Sequence, residues 1–160
     1  IGDAVAMVLD GGPARVGLES TVLDVSGDTL VLLRPGGVSK EEIEEALQMP
    51  VLLPADGSSL RRSPGTRYRH YAPKIPLIVT DDPSGTEAGD KKWAWIGTSE
   101  PAGSPVIKII FRDTEEYAKE LFRVLRLTEK SEADIIIAQR PDESGIGLAL
   151  KDRLTRASGI

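Results

Sequence analysis

Residues 106–138 read VIKIIFRDTEEYAKELFRVLRLTEKSEADIIIA, and this stretch decides the fold. It opens and closes on short β-branched runs, Val106 to Ile110 and Ile135 to Ala138. Runs of that length and composition suit buried strands. Between them Asp113 and Glu116 form a D-x-x-E capping pattern. Ala118, Leu121, Phe122 and Leu125 follow at i, i+3, i+4 and i+7, so the spacing predicts a helix over 114–128. A strand, a helix and a second strand in that order form a βαβ unit.

Working outward, Leu77–Thr80 (LIVT) and Trp93–Ile96 (WAWI) add two strands of the same kind. Downstream, Leu150, Leu154 and Ala157 share one face of a final helix over 147–157. Gly159 sits just past it, where a C-terminal glycine belongs. Near-continuous apolar strands alternating with helices argue a parallel sheet covered on both faces. Residues 76–160 therefore read as a small, doubly wound α/β domain.

Residues 1–53 have a different pattern. Val5–Leu9 (VAMVL) is expected as a strand before the turn Asp10-Gly11-Gly12-Pro13. Ser20–Val25 and Leu30–Leu33 flank Ser26-Gly27-Asp28, a hairpin signal. Ser39 and Glu42 make a capping box for a helix over 40–48, and Pro50 stops it. Three strands and one helix bury too little core to stand alone. This part reads as the tail of a larger α/β domain, and the start at Ile1 without a methionine fits a fragment of a longer protein.

The two parts are joined by 54–75, which contains Ser63–Pro73, SPGTRYRHYAP. It holds the only histidine, His70, together with Tyr68, Tyr71, Arg67 and Arg69. Its prolines bias Ser63 and Ala72 toward extended backbone. Loops that present rings and charges from a restricted backbone commonly carry function. The plainer alternative is a solvated linker, which explains the charges and leaves the aromatics unexplained.

Charge follows this division. Residues 1–53 carry net −6, residues 54–75 net +4 and residues 76–160 net −3, so an anionic ligand should meet the middle segment. The total of −5 argues against a large nucleic-acid footprint, so direct nucleic-acid binding is not expected. With no cysteine and one histidine, disulfides and thiolate or histidine-rich metal centres are excluded. No apolar run approaches the ~20 residues of a membrane span, so a cytoplasmic protein is expected.

Three smaller constellations remain. Gly17-Leu18-Glu19-Ser20-Thr21-Val22 enters a strand with two adjacent hydroxyls, of which one at most can face a given pocket. Ordinary strand chemistry explains the threonine equally well. Arg34, before Pro35-Gly36, places a guanidinium at a strand end, where its fork suits phosphate or carboxylate, or is simply a surface charge. Gly145-Ile146-Gly147 lacks the third glycine of a dinucleotide fingerprint, since position 150 is Leu150. Asp81-Asp82 reads as a turn, and no metal ligand or catalytic residue is assigned.

Taken together, GLESTVLDV (17–25) with LRPGG (33–37) resembles the closing part of the YrdC-like domain. SPGTRYRHYAP (63–73) resembles the linker that follows it in the long, two-domain threonylcarbamoyl-adenylate synthases. GIGLALKDRLTRASG (145–159) is similar to the last helix of their Rossmann-like domain, with Asp152 where asparagine is common. The resemblance implies three parts: residues 1–53 of a YrdC-like domain, a linker or lid at 54–75, and a Rossmann-like accessory domain at 76–160.

It also implies a synthase that condenses L-threonine, bicarbonate and ATP into threonylcarbamoyl-AMP and pyrophosphate. Mg²⁺ would accompany the nucleotide, and the product would pass to tRNA-modifying machinery. Ser20, Thr21 and Val22 would line the threonine and nucleotide pocket, with Arg34 on the phosphate side. Ser63, Arg69, His70 and Tyr71 would close over it. The family's N-terminal half, with its phosphate-binding motifs, does not appear in these residues, so the chain alone is expected to be inactive. The alternative from another class is a non-catalytic regulatory or interaction module.

Overall fold

A computed structural model describes residues 4–12, 14–54 and 72–159. Two sheets organise them. The first holds β1 (Val22–Asp24), β2 (Leu30–Arg34) and β3 (Val51–Leu52), with α1 (Lys40–Leu47) between the last two. The second holds β4 (Leu77–Thr80), β5 (Trp93–Gly97), β6 (Ile107–Ile110) and β7 (Ile135–Gln139), with α2 (Thr114–Thr128) and α3 (Gly147–Ser158).

The expected hairpin forms: β1 and β2 are antiparallel, with Leu23 opposite Leu32 and an irregularity between Val22 and Leu23. The capping box also forms. The Ser39 hydroxyl accepts from the Glu42 amide at 3.2 Å, and the Glu42 carboxylate accepts from the Ser39 amide at 2.7 Å. These bonds from Ser39 hold the Glu42 carboxyl below its usual range. The helix stops at Leu47, with Gln48 left-handed at φ 52°.

The third strand of this sheet is not the expected one. Val5–Leu9 forms no strand; Met7 is 76% and Leu9 88% exposed. An apolar run becomes a strand only when it pairs with a neighbouring edge, and among the described residues this one pairs with none. Val51–Leu52 takes that place instead, pairing in parallel with Leu30–Val31. Pro50 ends the preceding turn, and Val51 is then buried to 2% against Leu30 and Leu32.

In the second sheet every pair is parallel and the order is β4-β7-β5-β6. Alternate residues separate onto two faces, as the period of two requires. Leu77, Ile96, Ile136 and Ala138 face the helices, where Leu121 of α2 and Leu150 and Leu154 of α3 are fully buried. Each such leucine contributes ~1.5–3 kcal/mol by leaving water. Phe111 stacks on Tyr117 with ring centroids 4.6 Å apart. Burial pushes the Tyr117 phenol up, out of any physiological titration.

The opposite face carries Trp93, Trp95, Ile135 and Ile137, packed with Ala88 and Ile78. Both faces are thus covered, but α2 and α3 share one of them. The other is closed by the short 3₁₀ turn Thr86–Ala88 and by Gly85 and Gly103, which lie against the Trp93 ring.

Candidate functional site

The residues singled out in the first sheet meet where 19–21 lies against 34–38. Arg34 donates to the Ser20 carbonyl through Nε at 3.1 Å and Nη2 at 2.9 Å, and Nη2 reaches the Ser20 hydroxyl at 3.1 Å. Ser20 and Arg34 are therefore brought together at a half-exposed surface. Val22 stands opposite Arg34 in the strand register. Thr21 plays a different part. Its hydroxyl donates to the Val38 carbonyl at 2.5 Å and accepts the Val38 amide at 3.1 Å, tying the two stretches together. Ser63, Arg69, His70 and Tyr71 lie outside the described residues.

Close backbone approach depends on Gly36. A Cβ there would meet Thr21 N at 2.3 Å and Glu19 O at 2.4 Å. The Gly37 amide donates to the same Glu19 carbonyl at 3.0 Å. Sequence reading missed this glycine's role, although two glycines after Pro35 were its visible signal.

It missed Arg153 as well. This residue of α3 has a side chain only 5% exposed, and its Nε donates to the Glu19 carboxylate at 2.6 Å. Its Nη2 reaches the Pro35 carbonyl at 3.2 Å, and its Nη1 pairs with Asp152, which also accepts from Arg156 at 2.8 Å. Burial raises the Glu19 carboxyl, but the bond and charge of Arg153, with the charge of Arg34, outweigh it and hold Glu19 below its usual range. The clamp is therefore complete above the unfolded value of 4.5 and is lost as pH falls through the lower folded value. The signal in the sequence was a charge inside the apolar stripe of α3, one residue before Leu154.

Beside this clamp lies an apolar groove of about 260 Å³ between the first sheet and α3, lined by Leu32, Leu33, Pro35, Leu53 and Leu148 among others. The mouth of the second sheet is different. Open α/β sheets bind ligands beyond the C-terminal ends of their strands. Here Gln139 Oε1 accepts the amides of Thr98 at 2.7 Å and Ser99 at 2.9 Å, bridging β5 and β7. The remaining polar cleft is about 60 Å³, against the ~300 Å³ or more of ordinary ligand pockets. Asp82 accepts from the Ser84 amide and hydroxyl as a turn residue, and Asp81 pairs with Arg140 at 3.1 Å. Among the described residues no group of three or more histidines and acids is placed to hold a metal.

Residues 38–159 match the family described as threonylcarbamoyl-AMP synthase, C-terminal domain. The chain belongs to that family. It is 38% identical to the threonylcarbamoyl-AMP synthase of Pyrococcus abyssi, over 97% of this chain and 50% of that protein. It is 34% identical to the Bacillus subtilis threonylcarbamoyl-AMP synthase, over 97% of this chain and 49% of that one. The crystal structure of P. abyssi Sua5 complexed with L-threonine superposes with a TM-score of 0.74 at 34% identity, covering 94% of this chain and 48% of that one. A variant of the same protein with alanine at a histidine and at the tyrosine after it superposes with a TM-score of 0.73. The chain thus spans about half the length of the curated threonylcarbamoyl-AMP synthases it matches. Among the described residues no helix is long and apolar enough to cross a membrane.

Proposed function

We propose that this chain supplies the closing part of the ligand cavity, and the accessory Rossmann-like unit, of a two-domain L-threonylcarbamoyladenylate synthase. The complete enzyme would condense L-threonine, bicarbonate and ATP into threonylcarbamoyl-AMP, release pyrophosphate, and feed cytoplasmic machinery that builds threonylcarbamoyladenosine in tRNA. Residues 1–53 would end the YrdC-like domain, 54–75 would form its lid, and 76–160 the accessory domain. The observation that carries this reading is the likeness, over 94% of the chain, to a Sua5 structure holding L-threonine.

The site chemistry supports it. Ser20 and Arg34 offer a hydroxyl beside a guanidinium, a pairing suited to a carboxylate or phosphate oxygen. Thr21, its hydroxyl engaged by Val38, and Val22 would contribute through backbone and surface. Ser63, Arg69, His70 and Tyr71 would complete the ligand shell, excluding water as the lid closes. Mg²⁺ would arrive with the phosphates of ATP. The described residues do not form a carboxylate cradle for it, since Glu19, the acid nearest in sequence to Ser20, is held by Arg153.

His70→Ala combined with Tyr71→Ala, in the complete polypeptide, tests the lid. His70-Tyr71 is the only histidine–tyrosine step in this chain. Removing one charge-assisted donor costs ~1.5–3 kcal/mol, roughly ten- to a hundredfold. Turnover of threonine and ATP should fall at least that far while the thermal midpoint stays in place. Wild-type turnover in the double variant would remove these residues from the site.

A further inference from the structure

The site above hangs from two backbone stretches, and a side chain from the other sheet's last helix holds both. Arg153 Nε grips the carboxylate of Glu19, and Nη2 grips the carbonyl of Pro35. Ser20 is the next residue along one stretch, and Arg34 the preceding residue along the other. A buried guanidinium is costly unless paired, and this one is fully engaged, with Asp152 as its third partner. Its five donors sit in a rigid planar fork, so their spacing fixes the spacing of what they hold. Glu19 is gripped at both ends, since its own carbonyl accepts the Gly37 amide at 3.0 Å. A second contact anchors the same stretch, because Gly17 packs directly on the Lys119 backbone of α2.

We propose that Arg153 is a positioning residue for the Ser20–Arg34 site, through which the accessory four-stranded unit sets the geometry of the ligand pocket. This rests on the reading of Ser20 and Arg34 as ligand residues. It gives the accessory unit a task that needs no ligand of its own. Displacing Glu19 and Pro35 moves their neighbours Ser20 and Arg34, and a shift of ~1 Å at a reacting site can cost on the order of a hundredfold in rate.

Two variants test it, each with a readout that simple loss of stability does not move. Arg153→Lys keeps the charge and loses the fork. Glu19→Gln keeps a hydrogen-bond acceptor and loses the charge, and it decides the matter if the first variant fails to fold. Lys92→Gln, which breaks only an exposed ion pair with Glu132, is the control. In the ¹⁵N spectrum of the 160-residue chain, the Ser20 and Thr21 amides and the Arg34 Nε–H should shift in both variants and stay in place in the control. In the complete polypeptide, kcat/KM for L-threonine should fall about 10- to 100-fold, and the double variant should be little worse than either single one. Folded variants with unmoved Arg34 and Ser20 signals, or with moved signals and wild-type kcat/KM, would overturn the proposal. If the unaltered complete polypeptide shows no threonine-dependent turnover, the proposed function fails, and the spectrum alone still decides whether Arg153 positions Ser20 and Arg34.

Discussion

Trp95→Ala is expected to destabilise the protein by ~3–5 kcal/mol, the range for removing a large buried aromatic. Trp95 has no exposed surface and sits on the sheet face that carries no helix. It meets Trp93 edge-on at 6.4 Å, and its indole N–H donates to the Ser99 carbonyl at 2.8 Å. The substitution therefore leaves a cavity and also an unmatched carbonyl. Against a total stability of ~5–15 kcal/mol, that loss moves the urea midpoint far toward zero. Trp95→Phe, which keeps a ring and gives up the hydrogen bond, should cost much less. A loss below ~1 kcal/mol for the alanine variant would mean that this face is not a core.

Gly36→Ala is the second large effect, and it acts on the site. The added methyl would meet Thr21 N, Glu19 O and Ser20 C at 2.3–2.4 Å, all of them backbone atoms with no flexible end to move aside. Overpacking typically costs ~1–3 kcal/mol, occasionally more, and rigid neighbours place this substitution at the upper end. The stretches 19–21 and 34–38 must separate, which breaks the Thr21–Val38 and Arg34–Ser20 bonds together. Binding of L-threonine by the complete polypeptide should weaken more than tenfold. Gly27→Ala, where a Cβ meets nothing within 4 Å, should leave both stability and binding unchanged. Equal behaviour of the two variants would show that the close approach at Gly36 is not required.

What was legible in the sequence was what short-range chemistry decides. The α2 helix spans Thr114–Thr128 as read, because an Asp113 cap and an apolar stripe lie within one segment. The Ser39–Glu42 capping box and the four strands of the parallel sheet were legible for the same reason. The errors were all non-local. Val5–Leu9 has strand composition, yet a strand needs an edge to pair with. Val51–Leu52 is too short to announce itself and forms because β2 offers such an edge. The helices share one sheet face because two tryptophans and a 3₁₀ turn close the other, which no periodicity reveals. Ser20 and Arg34 were readable as polar groups beside turns, whereas their link to α3 spans 134 residues, from Glu19 to Arg153.

Pyrophosphate release from ATP, L-threonine and bicarbonate is the most direct test, comparing the purified 160-residue chain with the two-domain polypeptide proposed to contain it. Threonine-dependent release is expected from the two-domain polypeptide, and none above a protein-free blank from the chain alone. Release by the isolated chain, or none from the two-domain polypeptide, would contradict the proposed function.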